Sequence, residues 1–90
     1  MTMSTNYYVY ILHCADNTLY TGITNDLDRR LKMHNNKKAS KYTRGRTPVE
    51  YVYTEKVIDK STALKREYEI KKLSRDKKEK MILEYKKTSD

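Results

Sequence analysis

The run Tyr7-Tyr8-Val9-Tyr10-Ile11-Leu12 and its sequel Leu19-Tyr20-Thr21-Gly22-Ile23 decide the fold. Both are rich in β-branched and aromatic residues, the composition of strands. The first is apolar on both faces, so helices or loops are expected on both sides of its sheet. Ala15-Asp16-Asn17 supplies turn residues between the two runs, and so short a link makes them an antiparallel hairpin. Tyr8, Tyr10 and Leu12 share one face of the first strand, and Tyr20 and Gly22 share one on the second. Gly22 leaves a gap beside Tyr20 where a backbone or a phosphate can come close. All nine aromatics are Tyr, so core packing is the ordinary use of Tyr10 and Tyr20, although a buried hydroxyl still needs a partner.

Beyond the hairpin, Thr24 or Asn25 can cap a helix with Asp26 and Asp28 in its first turn. Leu27, Leu31 and His34 then fall on one helical face. Residues 35–47 are polar and basic with one Gly, which reads as a loop or a broken helical turn. Pro48 precedes a third strand over residues 49–53. A second helix is expected over residues 60–73, capped by Asp59 or Ser61. Ser74 can cap a last helix whose Met81, Ile82 and Tyr85 pack inward. The polar residues 86–90, like residues 1–6, are expected to be flexible. The order β-β-α-β-α-α describes an α+β domain, a three-stranded antiparallel sheet flanked by helices. No internal repeat is visible.

Ninety residues suffice for a single domain, with its core at about residues 7–85. A chain this size buries only about 60% of its unfolded surface, which leaves no room for a regulatory domain or a large cofactor pocket. No apolar run is long enough to span a membrane, and residues 1–6 lack the features of a signal peptide. The single Cys, Cys14, excludes an internal disulfide and a Cys-based zinc site and suits a reducing cytoplasm. The net charge of +8 is local. Residues 29–49 carry Arg29, Arg30, Lys32, Lys37, Lys38, Lys41, Arg44 and Arg46 with no acid, while the remainder balances twelve basic against twelve acidic residues. Unless this is only a solvated loop, such a segment is better stabilised by phosphates than by water. Composition does not separate DNA from RNA.

Glu67 is the most informative single residue. At about 100° per residue, and with Ala63 at zero, Leu64 falls at about 100°, Ile70 at about 340° and Glu67 at about 40°. Glu67 is thus expected within an apolar stripe, whereas Glu69, at about 240°, faces solvent. A carboxylate turned toward the body of the domain is either a buried partner of an Arg or a metal ligand or general base. Arg30 and His34 lie one turn apart at the edge of the first helix's apolar stripe.

These residues match a known arrangement, and the chain resembles the GIY-YIG nuclease domain, in particular its small stand-alone members. The first motif appears as Tyr8-Val9-Tyr10 and the second as Tyr20-Thr21-Gly22; Tyr8 stands in place of a Gly and Thr21 in place of an Ile. The family's helical Arg falls on Arg30, the polar position one turn later on His34, and the metal-binding Glu on Glu67. The resemblance covers about residues 7–73.

The resemblance implies a metal-dependent endonuclease acting on DNA, with catalytic residues Tyr10, Tyr20, Arg30, His34 and Glu67. One Mg²⁺ or Mn²⁺ would bind Glu67 and otherwise waters and phosphate oxygens. Arg30 would hold the scissile phosphate. Tyr10 or Tyr20 would orient and deprotonate the water with His34 as helper, because a tyrosine at its ordinary pKa is a reluctant base. Lys37, Lys38, Lys41, Arg44 and Arg46 would bind the DNA backbone by charge. The expected setting is a cytoplasmic monomer with no membrane partner and no small-molecule cofactor, working on branched, flap, single-stranded or damaged DNA in repair or recombination. Two other readings stay open: a non-catalytic nucleic-acid-binding module on the same fold, and a basic domain that binds a protein.

Overall fold

A computed structural model describes residues 6–88; the expectations for residues 1–5 and 89–90 lie outside the described residues. The elements are β1 (Tyr7–Cys14), β2 (Leu19–Thr24), α1 (Leu27–Asn35), α2 (Lys41–Arg44), β3 (Val49–Val57), α3 (Lys60–Lys71) and α4 (Arg75–Thr88). They form one antiparallel sheet in the order β2-β1-β3, the expected α+β architecture.

β1 is central and buried on both sides, as its composition requires. Val9 and Ile11 point into a core built with Ala63 and Ile70 of α3 and, at its margin, Met81 and Ile82 of α4. Tyr10, Leu12 and Cys14 point the other way, against Val49 and Tyr51 of β3 and Leu27 and Leu31 of α1. A β-bulge between Ile11 and Leu12 sets what β3 offers to each side. Ile11 pairs with Tyr53 but Leu12 with Tyr51, so one residue of β3 is extra. An extra residue reverses the alternation of side chains. Tyr51 therefore joins the layer under α1, and Tyr53 the layer under α3 and α4.

Several boundaries differ from the sequence reading. The cap of α1 is Asp26, not Thr24 or Asn25: its carboxylate accepts from the backbone N–H of Arg29 at 3.0 Å, and the Thr24 hydroxyl instead accepts from Asp26 N–H. β3 continues four residues beyond Tyr53, because β1 is long enough to pair with it as far as Val57. Asp59 caps α3 through the N–H of Thr62. Residues 86–88 continue α4, which runs to Thr88, whose hydroxyl donates back to the Tyr85 carbonyl. Leu64 leaves the apolar stripe and is 47% exposed, since a helix on a narrow sheet buries a limited arc and Leu64 lies well round from Ala63 and Ile70.

Candidate active site

Gly22 is the first determinant of the site. It lies opposite Tyr10 in the β1–β2 register. The space a side chain would take is filled by the Tyr10 ring, whose hydroxyl lies 2.5 Å from the position of an added Cβ. The gap expected beside Tyr20 is thus occupied from within, not left for a backbone or a phosphate. Tyr10 is 2% exposed and packs edge-on against Tyr51, 5.2 Å between centroids. The Tyr51 hydroxyl in turn donates to the Leu27 carbonyl at 2.7 Å and ties β3 to the start of α1.

Across the sheet face, α1 delivers His34, which is buried although its sequence position suggested the edge of the stripe. Its Nε2 lies 2.9 Å from the Tyr10 hydroxyl, and its Nδ1 lies 2.9 Å from the hydroxyl of Thr43 on α2. Tyr20 packs edge-on against the same imidazole, with ring centroids 5.5 Å apart. The electrostatics follow from burial. Loss of water, then the neighbouring Tyr20, pushes the Tyr10 phenol well above its ordinary pKa; the Arg30 guanidinium opposes this and the Glu67 carboxylate adds to it. Loss of water, helped by Arg30, holds the His34 imidazole down to about 4. His34 is therefore neutral near pH 7. Four of the five expected catalytic residues, Tyr10, Tyr20, Arg30 and His34, thus act on one another, and the fifth, Glu67, reaches Tyr10 through its charge.

Glu67 is neither fully buried nor paired with an Arg. Its side chain is 19% exposed and meets Lys71, one turn on, at 3.2 Å. The Arg of α3, Arg66, turns instead to Glu55 at 2.9 Å, beside Tyr53. Glu69 is solvent-facing, as expected. Among the described residues no three His, Cys, Asp or Glu side chains converge on a metal position. A lone carboxylate whose partner is a half-exposed Lys fits a hard cation that keeps most of its waters, such as Mg²⁺, and does not fit zinc.

The basic segment is more ordered than a loop. Ser40 caps the short α2 by accepting from Tyr42 N–H. Asn35 works as a strand edge: its amide donates to the Val49 carbonyl at 3.2 Å and accepts from Val49 N–H at 2.8 Å, closing the segment at its base. Tyr42 stacks on Tyr20, and Arg46 lies 4.1 Å over the Tyr42 ring. Arg46 is also paired with Asp16 of the hairpin turn at 2.8 Å, so one of the eight cations has a counter-charge the linear sequence concealed. Lys37, Lys38, Lys41 and Arg44 are exposed, with Lys37 at a positive φ of 64°. Asn35, Tyr42, Thr43 and Tyr51 were not singled out from sequence. Their partners are distant in the chain, and no spacing rule connects them.

Comparison with known proteins agrees with this geometry. The family model of the GIY-YIG catalytic domain matches residues 6–80. A UPF0213 protein of Natronomonas pharaonis is 55% identical over 80 residues, covering 89% of this chain and 94% of that protein. One of Oceanobacillus iheyensis is 54% identical, covering 89% and 93%. The solution structure of a UPF0213 protein from Bacillus halodurans is 52% identical with a TM-score of 0.55, covering 86% of this chain and 82% of that one. The matched segment runs from the first strand into the last helix, and the chain belongs to the GIY-YIG family, a family of nuclease domains.

Proposed function

We propose that this chain is a metal-dependent endonuclease that hydrolyses phosphodiester bonds in DNA. The observation that carries the reading is the buried contact between the Tyr10 hydroxyl and a neutral His34. A neutral imidazole is an acceptor, so the Tyr10 proton has somewhere to go when the phenol oxygen draws a proton from water. Burial opposes that transfer at both groups, and Arg30 favours loss of the Tyr10 proton while opposing its gain by His34. Arg30 is partly exposed at the margin of the site and offers its planar fork to the oxygens of a phosphate. Tyr20 packs against the flank of the imidazole and keeps it facing Tyr10. Glu67 is the residue that would hold one Mg²⁺ or Mn²⁺. Such an ion supplies positive charge that offsets the phosphate and the developing oxyanion. Exposed Lys37, Lys38, Lys41 and Arg44, with Arg46 beside them, attract the DNA backbone without reading bases.

The test is incubation with labelled single-stranded, flap, branched, damaged and intact duplex DNA in Mg²⁺, Mn²⁺ or EDTA. Cleavage of at least one substrate, abolished by EDTA and by Glu67→Ala, is the expected result. Salt-sensitive binding with no cleavage in either metal would refute the nuclease reading in favour of a binding module.

A further inference from the structure

Thr43 is completely buried within the basic segment, and its hydroxyl points at His34 rather than at solvent. We propose that Thr43 is a positioning residue that fixes the tautomer of His34, so that the proton sits on Nδ1 and the nitrogen facing Tyr10 is bare. The inference rests on the roles given to Tyr10 and His34 above, and a complete count of protons carries it.

Three donors share this buried row: the Thr43 hydroxyl, one imidazole N–H and the Tyr10 hydroxyl. With the proton on Nδ1, the Thr43 hydroxyl donates to the Ser40 carbonyl at 3.4 Å, its oxygen accepts from Nδ1–H at 2.9 Å, and Nε2 accepts from the Tyr10 hydroxyl at 2.9 Å. Each donor then has an acceptor. With the proton on Nε2 the row reverses. Thr43 donates to Nδ1, Nε2–H donates to the Tyr10 oxygen, and the Tyr10 proton needs another acceptor. Among the described residues His34 is the only hydrogen-bond partner of that hydroxyl, and Tyr10 as a residue is 2% exposed. A buried unmet donor disfavours the second tautomer by about fivefold or more.

The placement of Thr43 adds a consequence. α2 carries Thr43 on its inner side and exposed Lys41 and Arg44 beside it. The turn that meets phosphates is therefore the same turn that orients the imidazole. It is clamped in place by the Tyr42–Tyr20 stack, the Arg46–Asp16 pair and the Ala15 N–H bond to the Arg46 carbonyl at 2.8 Å.

The experiment measures the His34 tautomer by ¹⁵N NMR of histidine-labelled protein near pH 7.5, in wild type, Thr43→Ser and Thr43→Val, with cleavage kinetics alongside. Wild type and Thr43→Ser should show the proton on Nδ1, while Thr43→Val shifts His34 toward the Nε2–H form. Cleavage by Thr43→Val should fall tenfold or more in kcat with little change in KM, and Thr43→Ser should restore most of it. A wild-type His34 protonated on Nε2 overturns the proposal, as does a folded Thr43→Val whose tautomer is unchanged. Should Thr43→Val fail to fold, the wild-type and Thr43→Ser spectra still decide, since both must carry the proton on Nδ1. If the tautomers behave as stated but wild type cuts no DNA in any metal, the positioning role of Thr43 stands and the nuclease reading fails.

Discussion

Gly22→Ala tests whether the Tyr10 ring is held where the site needs it. The added Cβ would sit 2.5 Å from the Tyr10 hydroxyl and 2.7 Å from Cζ, so the ring must move. It has little room, because it is 2% exposed, packed on Tyr51 and bonded to His34. Overpacking of this kind costs about 1–3 kcal/mol, and pulling the hydroxyl from His34 adds about 1 kcal/mol. Ala in a strand returns about 0.5–1 kcal/mol over Gly. The net loss is about 2 kcal/mol, which in a domain this size lowers Tm by about 8–15 °C. Gly45→Ala is the control. No atom lies within 4 Å of its Cβ position and its φ of −97° suits any residue, so Tm should hold or rise slightly. Thermal and urea unfolding followed by circular dichroism measures both variants. Equal melting of the two, with the Tyr10 ring resonances unmoved, would refute the account of Gly22.

Three further outcomes follow from the same geometry. Glu67→Ala breaks only an ion pair with a half-exposed Lys71, so stability should change by less than about 1 kcal/mol while metal-dependent cleavage vanishes; Glu69→Ala, at a carboxylate 64% exposed, should leave both properties intact, and a collapse in the Tm of Glu67→Ala would return Glu67 to a structural role. The folded His34 titrates near 4 against an ordinary 6.5, so between those values the unfolded chain binds the proton that the folded chain refuses. That contribution, about 3 kcal/mol, is fully present above about pH 6.5 and is lost as pH falls toward 4; urea titrations at pH 7.5, 6 and 5 should show the decline, and a flat profile would show that His34 is not held neutral by burial. Finally, Lys41→Ala with Arg44→Ala should weaken DNA binding and flatten its salt dependence by about 0.9 per lost phosphate contact on a duplex, measured by fluorescence anisotropy across salt, whereas Arg46→Ala should also lower Tm because it releases Asp16 and uncovers Tyr42.

The sequence by itself determined the hairpin and the element order, and it named Tyr10, Tyr20 and His34, which the fold brings into contact. Period and composition are local properties: β-branched and aromatic residues in 7–12 and 19–23 mark strands, and the spacing of Leu27, Leu31 and His34 marks a buried helical face. The arithmetic that separated Glu67 from Glu69 held for the same reason, although it overstated the burial of Leu64. Only the tertiary structure decided how these parts meet. A single bulge, opposite Ile11 and Leu12, sends Tyr51 and Tyr53 to different sides of the sheet, and no residue in β3 announces it. The occupant of the space over Gly22 is a ring twelve positions earlier, and the partner of Arg46 is an aspartate thirty positions earlier. The imidazole beside the Tyr10 hydroxyl and the Thr43 hydroxyl on its other side lie 24 and 33 residues on, in segments brought together by packing alone. Such contacts are set by which faces the core buries, a long-range condition that local pattern does not encode.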